Sequence, residues 1–335
     1  MTDTSISRIQ QILENCLFND GSNVKSRSSK IVINKGNVGF SVDITGIDLD
    51  SAQKIRTQLE DQIKKIANFG KINIVLTSSK PSDSKDEKNS RIIVDGARKT
   101  ILVASGKGGV GKSTIASLLA YKLLSEGKKV GIIDADIYGP SIPGIFNISK
   151  KPELEDNRMI PLYKNGIYLN SIGFLTAQDA SISWRGPMAS KALYQLISLT
   201  KWPDLDYLII DTPPGTGDIH LSLLQNYDIN GVVMVTTPQL ISKLDVQRAI
   251  NLYKKFNVPL LGIIENMSYY QDKLNGNSIL LFQGNSGNKI AAENNIPLLA
   301  KVPIEPELSQ YCDQGNDLAP FVHLVPEIKF SRTGD

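Results

Sequence analysis

One stretch of this 335-residue chain decides the fold: Gly106-Lys107-Gly108-Gly109-Val110-Gly111-Lys112-Ser113-Thr114. Its glycines at 106 and 111, followed by lysine and serine, fit the G-x-x-x-x-G-K-[ST] pattern. In that pattern the absence of Cβ atoms lets backbone N–H groups surround phosphate oxygens. We expect Lys112 to supply positive charge and Ser113 a hydroxyl ligand for Mg²⁺. Lys107 is an additional cation at a position where a plain phosphate-binding loop needs none.

The residues around this loop predict a strand before it and a helix after it. Thr100–Ala104 is an apolar run, and Lys112–Glu126 carries apolar residues at helical spacing before Gly127, a typical C-terminal cap. The N-terminus of such a helix presents free amide groups and a positive dipole end to phosphate. Strand, loop and helix follow in the order that the motif requires, so the sequence predicts nucleotide binding.

Composition excludes several classes of protein. The 41% hydrophobic and 21% charged residues are typical of a globular protein, and no apolar run approaches the roughly 18 residues of a membrane span. Residues 1–30 contain acidic side chains and no leader pattern, so we expect a cytoplasmic protein that is not bound to a membrane. A net charge of +3 is too small to indicate a nucleic-acid partner. Cys16 and Cys312 are the only cysteines, which excludes a disulfide framework and a C-x-x-C motif.

The length predicts two domains, and a polar segment marks the boundary. Residues 78–90 contain only polar and charged residues plus one proline, too little apolar surface to offset the entropy of ordering. We therefore predict a small α+β domain at 1–77, with element order α-β-β-α-β, a linker at 78–92 and a phosphate-loop nucleotide-binding domain at 93–335.

The second domain reads as an α/β fold with a doubly wound, mostly parallel sheet. Short apolar runs that end in polar or glycine residues alternate with helical stretches, as in a sheet covered on both faces. The predicted strands are Thr100–Ala104, Val130–Ile133, Ile167–Ile172, Tyr207–Ile210, Gly231–Val235, Leu260–Ile264 and Leu298–Val302. Ligands of such folds bind at the carboxyl ends of the strands.

Carboxylates follow two of these strands. Asp134 and Asp211 come directly after apolar runs, and either can hold Mg²⁺ beside the phosphates, directly or through water. Asp136 lies one turn further on, toward the place of an attacking water. A single strand-end aspartate can equally cap the next helix. The segment from Thr212 to Gly217 combines prolines and glycines, as suits a switch that responds to the γ-phosphate.

These motifs resemble those of the Mrp (ApbC-like) ATPases, within the deviant phosphate-loop group that includes MinD and the nitrogenase iron protein. The resemblance covers roughly residues 95–325, and the N-terminal domain resembles the iron–sulfur-assembly-type domain that precedes the ATPase in bacterial Mrp proteins. The matching segments are the phosphate loop, Asp134–Ser141, Trp184–Pro187, Asp211–Asp218 and Glu265–Ser268.

The resemblance implies a homodimeric ATPase that uses ATP and Mg²⁺ and carries iron–sulfur clusters between scaffold and apo-acceptor proteins. By the same match Lys107 reaches the partner's nucleotide, Asp136 orients the attacking water and Asn266 contacts adenine. We expect hydrolysis to be slow and dependent on dimerisation. A buried capping role is the alternative for Asn266.

The usual cluster ligands of the family, a C-x-x-C pair soon after Glu-Asn-Met-Ser, are absent from Tyr269–Asn277. Clusters are normally held by four thiolates. Cys312 is the remaining candidate ligand, with a semi-buried structural cysteine as the alternative.

Two alternative functions are considered, and two further residues each have two alternative roles. A MinD-like positioning ATPase at a membrane or DNA would need a basic amphipathic C-terminal helix, whereas Pro320–Pro326 is interrupted by proline. A binding module without hydrolysis is disfavoured by the intact lysine and aspartates. His220 is either a proton shuttle or a structural histidine. Arg185 is either an interface residue or stacks on Trp184.

Overall fold

A computed structural model describes residues 2–34, 36–67, 69–77, 91–175, 186–240 and 243–327. The chain divides into two compact units, Met1–Asn89 and Ser90–Asp335. Most of the predicted linker, residues 78–90, lies outside the described residues, and the domain bounds inferred from the sequence stay a prediction.

The first unit is a three-stranded sheet packed against two helices. In chain order its elements are α1 (Thr2–Asn15), β1 (Val32–Asn34), β2 (Asn37–Asp43), α2 (Leu49–Lys64) and β3 (Ile72–Thr77). Strand β2 lies in the middle, antiparallel to β1 and parallel to β3. The alternating apolar residues of β2 are buried against the apolar faces of the helices, and Cys16 lies in that core.

The second unit contains the remaining helices and strands. They are β4 (Ala97–Ser105), α3 (Lys112–Ser125), β5 (Val130–Asp134), α4 (Ile142–Ile145), β6 (Leu154–Glu155), β7 (Arg158–Met159), β8 (Leu162–Lys164), β9 (Ile167–Ser171), α5 (Ile172–Leu175), α6 (Gly186–Ser198), β10 (Leu205–Asp211), α7 (Asp218–Asn226), β11 (Gly231–Thr236), α8 (Lys243–Lys255), β12 (Leu260–Glu265), β13 (Tyr270–Gln271), β14 (Ser278–Ile279), α9 (Ser286–Asn294), β15 (Leu298–Lys301) and α10 (Pro306–Gln314).

An eight-stranded sheet forms the centre of this unit, in the order β15-β12-β11-β4-β10-β5-β9-β8. All of its pairings are parallel except that of β8 with β9. The predicted α/β fold is confirmed, and each predicted strand is present with its ends shifted by a few residues. Because β4 lies between β10 and β11, the phosphate loop emerges in the middle of the carboxyl edge, beside the end of β10.

Two apolar clusters cover the faces of this sheet. Helix α3 is buried on most of its surface, and its Ile115, Leu118 and Leu119 pack in one of the clusters. Gly127 follows with φ +76°, the left-handed conformation predicted for the cap. In the same cluster Phe321 anchors a 3₁₀ helix, Ala319–Leu324, so this segment is not the free amphipathic helix that the positioning hypothesis requires. Among the described residues, the structure contains no helix with the length and apolarity to cross a membrane.

Candidate nucleotide site

The phosphate loop depends on glycine at two positions for conformational reasons. Gly109 and Gly111 have φ angles of +78° and +77°, a left-handed conformation in which side chains are strained. Gly111 is also the N-cap of α3, and a Cβ atom there would lie 2.3 Å from Nδ2 of Asn266. The loop therefore leaves the first amide groups of α3 facing the cavity in front of it.

Lys112 and Asp211 form a buried, hydrogen-bonded ion pair at the foot of the loop. Asp211 ends β10, whose register with β4 brings the carboxylate under the first turn of α3. The side chains are 7% and 0% exposed. Burial raises the pKa of Asp211, and the charge of Lys112 opposes that rise. The ion pair holds the Lys112 ammonium in place at the loop, where phosphate oxygens would lie.

The same carboxylate offers a metal ligand. Among the described residues its buried Oδ2 has no hydrogen-bond partner, and the Ser113 hydroxyl lies close to the carboxylate. Mg²⁺ prefers hard oxygen ligands and usually keeps several of its waters. An unpartnered carboxylate oxygen next to a hydroxyl fits that preference, so the residues present fit a magnesium ion at Ser113 and Asp211.

Asp134, the other predicted magnesium ligand, uses both of its oxygens within the chain. Oδ1 accepts a hydrogen bond from the Asp136 amide at 3.1 Å, and Oδ2 accepts from the Ile142 amide at 3.0 Å and the Ser171 hydroxyl at 3.1 Å. Burial first, and then the charge of Asp211, raise the pKa of Asp134 to about 7. Asp134 thus orders the turn that carries Asp136, and its metal role stays a prediction.

Asp136 lies in the wall of the cavity in front of the loop. Its Oδ1 accepts hydrogen bonds from the amides of Tyr138 and Gly139 at 3.2 and 3.3 Å. These two hydrogen bonds fix the orientation of the carboxylate. A group that orients an attacking water needs such a fixed orientation.

Lys107 is at the edge of the same cavity and is 34% exposed. Its Nζ lies 3.7 Å from Oδ2 of Asp245, on the first turn of α8. The two predicted lysines therefore have different partners: Lys112 is buried on Asp211, and Lys107 faces a neighbouring helix.

Asn266, at the end of β12, stabilises the phosphate loop through a hydrogen bond. Its Nδ2 donates a hydrogen bond to the carbonyl of Val110 at 2.9 Å, and it also lines the cavity. The preceding Glu265 is buried, and its Oε2 accepts a hydrogen bond from the Gly287 amide at 2.7 Å. The side-chain amide of Asn266 is thus hydrogen-bonded within the protein, in agreement with the buried capping role named above as the alternative. A contact of Asn266 with adenine stays a prediction.

The cavity has a volume of about 670 Å³, within the usual range for small-molecule sites. The phosphate loop forms one wall. The opposite wall, which the sequence did not reveal, comes from Pro303–Glu305, from Phe282 and from one face of α10. No local motif marks these residues; the pairing of β15 with β12 and the packing of α10 beside α4 bring Pro303–Glu305 and α10 to the loop.

Cys312 is part of that opposite wall. Its thiol lies beside the Thr114 hydroxyl, which lowers the pKa of the thiol. Burial has the larger effect and raises that pKa. This position disfavours the predicted role as a cluster ligand, because a cluster there would fill the space in front of the phosphate loop. Cys16 is buried in the other unit. Within the described ranges, the structure places no three His, Cys, Asp or Glu side chains together as a metal site.

Strands β13 and β14 form a short hairpin where the family's paired cysteines are expected. Polar side chains build its turn: Oδ1 of Asp272 accepts from the Leu274 amide at 2.9 Å, and Oδ1 of Asn275 accepts from the Asn277 amide at 2.8 Å. The hairpin therefore closes through hydrogen bonds and needs no metal.

His220 is buried between the switch segment and α8. A carbonyl oxygen can only accept, so Nε2 donates to Pro213 at 2.9 Å, and Nδ1 accepts from the Tyr253 hydroxyl at 2.8 Å. Burial lowers the pKa of His220 to about 4. With both nitrogens in use, the structural alternative is favoured over a proton shuttle. Trp184 and Arg185 lie outside the described residues.

Comparison with known proteins places this chain in a family. A family model described as ParA, NUBPL iron-transfer P-loop NTPase, matches residues 96–331. The chain belongs to this family. It is 48% identical to the iron–sulfur cluster carrier protein of Rickettsia felis over 97% of this chain and 98% of that protein. It is 45% identical to the protein of the same name from Escherichia coli over 71% of this chain and 64% of that one.

A solved structure of a nucleotide-binding protein from Archaeoglobus fulgidus, in complex with ADP and with cobalt, is also similar. The two share 37% identity and a TM-score of 0.59, over 66% of this chain and 88% of that one. The phosphate-loop fold predicted from the sequence is therefore confirmed, and this protein is a P-loop NTPase.

Proposed function

We propose that this protein is an ATPase that carries iron–sulfur clusters to apoproteins. The observation that carries the proposal is the near-complete alignment, at 48% identity, with an iron–sulfur cluster carrier protein. The Lys112–Asp211 pair and the cavity in front of the loop supply the nucleotide half of that function.

For hydrolysis, the chain positions three groups around the terminal phosphate. The loop amides and Lys112 hold the phosphate oxygens, and Asp136 orients the attacking water in line with the breaking bond. Ser113 and Asp211 would hold Mg²⁺, which would neutralise charge on the phosphate oxygens. Lys107 of a second subunit adds positive charge to the transition state, so hydrolysis by one chain alone is slow.

The cluster is cargo, and its thiolates come from the scaffold or acceptor protein. Three features support this part of the proposal: Cys16 is buried, Cys312 faces the nucleotide cavity, and the hairpin carries Asp272 and Asn275. A dimer holds four cysteines, but with Cys16 buried in the core of the first unit and Cys312 at the nucleotide cavity they do not suit an ordinary four-thiolate site.

Anaerobic reconstitution with iron and sulfide tests the proposal. We expect the unaltered protein and Cys312→Ala to take up equally little cluster on their own. With a cluster-loaded scaffold, ATP and the unaltered protein should speed activation of an apo-acceptor, and Lys112→Ala should remove that effect because nucleotide no longer binds.

A stable cluster on the isolated protein that is lost in Cys312→Ala would disprove the proposal that the thiolates come from the scaffold or acceptor protein. No acceleration under any condition would disprove the carrier function. ATP-dependent sedimentation with liposomes or DNA would instead support the positioning ATPase, which the contacts of the described residues do not favour.

A further inference from the structure

We propose that Asp245 is a positioning residue that holds Lys107 on its own chain until a second subunit binds. The inference rests on the proposed function, in which Lys107 acts on the partner's nucleotide. In the single chain the Lys107 ammonium faces Oδ2 of Asp245, at 3.7 Å. A lysine in this pair must leave Asp245 before it can reach across to another subunit.

The backbone brings this pair together with little freedom. Gly106 packs directly on the first turn of α8: a Cβ atom there would lie 2.4 Å from the Val246 nitrogen and 2.6 Å from the Asp245 carbonyl carbon. The residue after Gly106 is therefore held beside Asp245. Oδ1 of Asp245 lies 3.3 Å from Arg248, which leaves Oδ2 directed at Lys107.

Helix α8 packs in the core beside this contact and is linked to the switch segment through His220 of α7. Val246, Ile250 and Tyr253 are buried in the core, so the helix does not move freely. Its Tyr253 donates to His220, which in turn donates to the carbonyl of Pro213 in the switch segment. One helix thus contacts Lys107 directly and is connected, through His220, to the segment expected to respond to the γ-phosphate.

The contact competes with dimerisation. Half-exposed ion pairs typically change an equilibrium about 1.4- to 5-fold. Because a symmetric dimer must release two lysines, removing the pair should strengthen dimerisation by the square of that factor, about 2- to 25-fold. The rate within a formed dimer should not change, because Asp245 no longer holds Lys107 there.

ATP hydrolysis per chain, measured against protein concentration, tests this. We expect Asp245→Asn to lower the half-maximal concentration about 2- to 25-fold, with the same saturating rate and the same affinity of the monomer for nucleotide. Asp245→Ala is the second variant, because alanine has the highest helix propensity if asparagine impairs folding. A purely structural role would instead lower the rate at every concentration.

Arg248→Gln is the matched control on the same helix. It removes the other partner of Asp245 and leaves the contact with Lys107, so the half-maximal concentration should stay equal or rise. A fall as large as that of Asp245→Asn would show that charge on α8, rather than the ion pair, sets dimerisation, and would overturn the inference.

A direct readout is the acylation rate of the Lys107 amine in the nucleotide-free protein, followed by mass spectrometry. It should rise in Asp245→Asn and stay unchanged in Arg248→Gln. Lys107→Ala separates the two proposals. If it hydrolyses ATP like the unaltered protein at every concentration, the cross-subunit role fails. If it loses activity while Asp245→Asn changes neither half-maximal concentration nor acylation, only the present inference fails.

Discussion

Three aspartates near the carboxyl edge of the sheet have the same side chain and different environments. Within the described part of the chain, Asp211 retains an unpartnered oxygen, Asp134 has both oxygens in hydrogen bonds, and Asp136 lies in the cavity wall. The sequence predicts all three as a group because each follows a strand. The sequence cannot show which of the three has an oxygen free to bind a metal. That depends on which amides and hydroxyls the folded chain brings to each carboxylate.

His220 makes stability depend on pH. Its folded pKa of about 4 lies below the ordinary value of 6.5, so the unfolded chain binds a proton first as pH falls. The stability that neutral His220 contributes is complete above pH 6.5 and is lost progressively down to about pH 4. The full loss is about 3 kcal/mol.

We expect the difference in unfolding free energy between the unaltered protein and His220→Gln to narrow by about this amount between pH 7 and pH 4. Urea unfolding at several pH values measures it. Parallel pH profiles for the two proteins would show that His220 is not the group responsible.

Among the secondary-structure elements, the contact of the phosphate loop with α8 is the most constrained. Gly106→Ala would place a Cβ atom 2.4 Å from the Val246 nitrogen, so the loop or the helix must shift. We expect a loss of about 1–3 kcal/mol in the unfolding free energy of the nucleotide-free protein.

Gly108→Ala is the control, because its Cβ atom would meet only a Pro214 carbon at 3.8 Å. Its unfolding free energy should stay within about 0.5 kcal/mol of the unaltered protein. Equal effects of the two substitutions would contradict the steric explanation.

The strands and α3 could be predicted because apolar runs and the glycine motif are local signals. Short elements such as β8 and the β13–β14 hairpin carry too few residues for a periodic pattern. The opposite wall of the cavity and the pair of Lys107 with Asp245 depend on residues far apart in the chain. Nothing near Lys107 in the sequence indicates that a helix more than a hundred residues later will face it.

For the chain as a unit, the polar composition of residues 78–90 predicts where a protease cuts first. We expect brief trypsin treatment to cleave after Lys85 and Lys88 and to leave two resistant fragments that correspond to the predicted domains. Mass spectrometry of the early products measures this, with Lys85→Gln/Lys88→Gln as the control. First cuts within β4 or α3 would contradict the predicted division.

The position of Cys312 provides a native site for fluorescent labelling at the nucleotide cavity. Its thiol borders the nucleotide cavity, whereas Cys16 is buried in the first unit. A fluorophore attached through a thiol reagent would therefore be expected on one side chain without any engineered cysteine. Because ATP would occupy the space in front of that thiol, the labelling rate itself reports the fraction of chains that hold nucleotide. A short labelling pulse at each stage of the carrier cycle would therefore measure nucleotide occupancy on the native sequence.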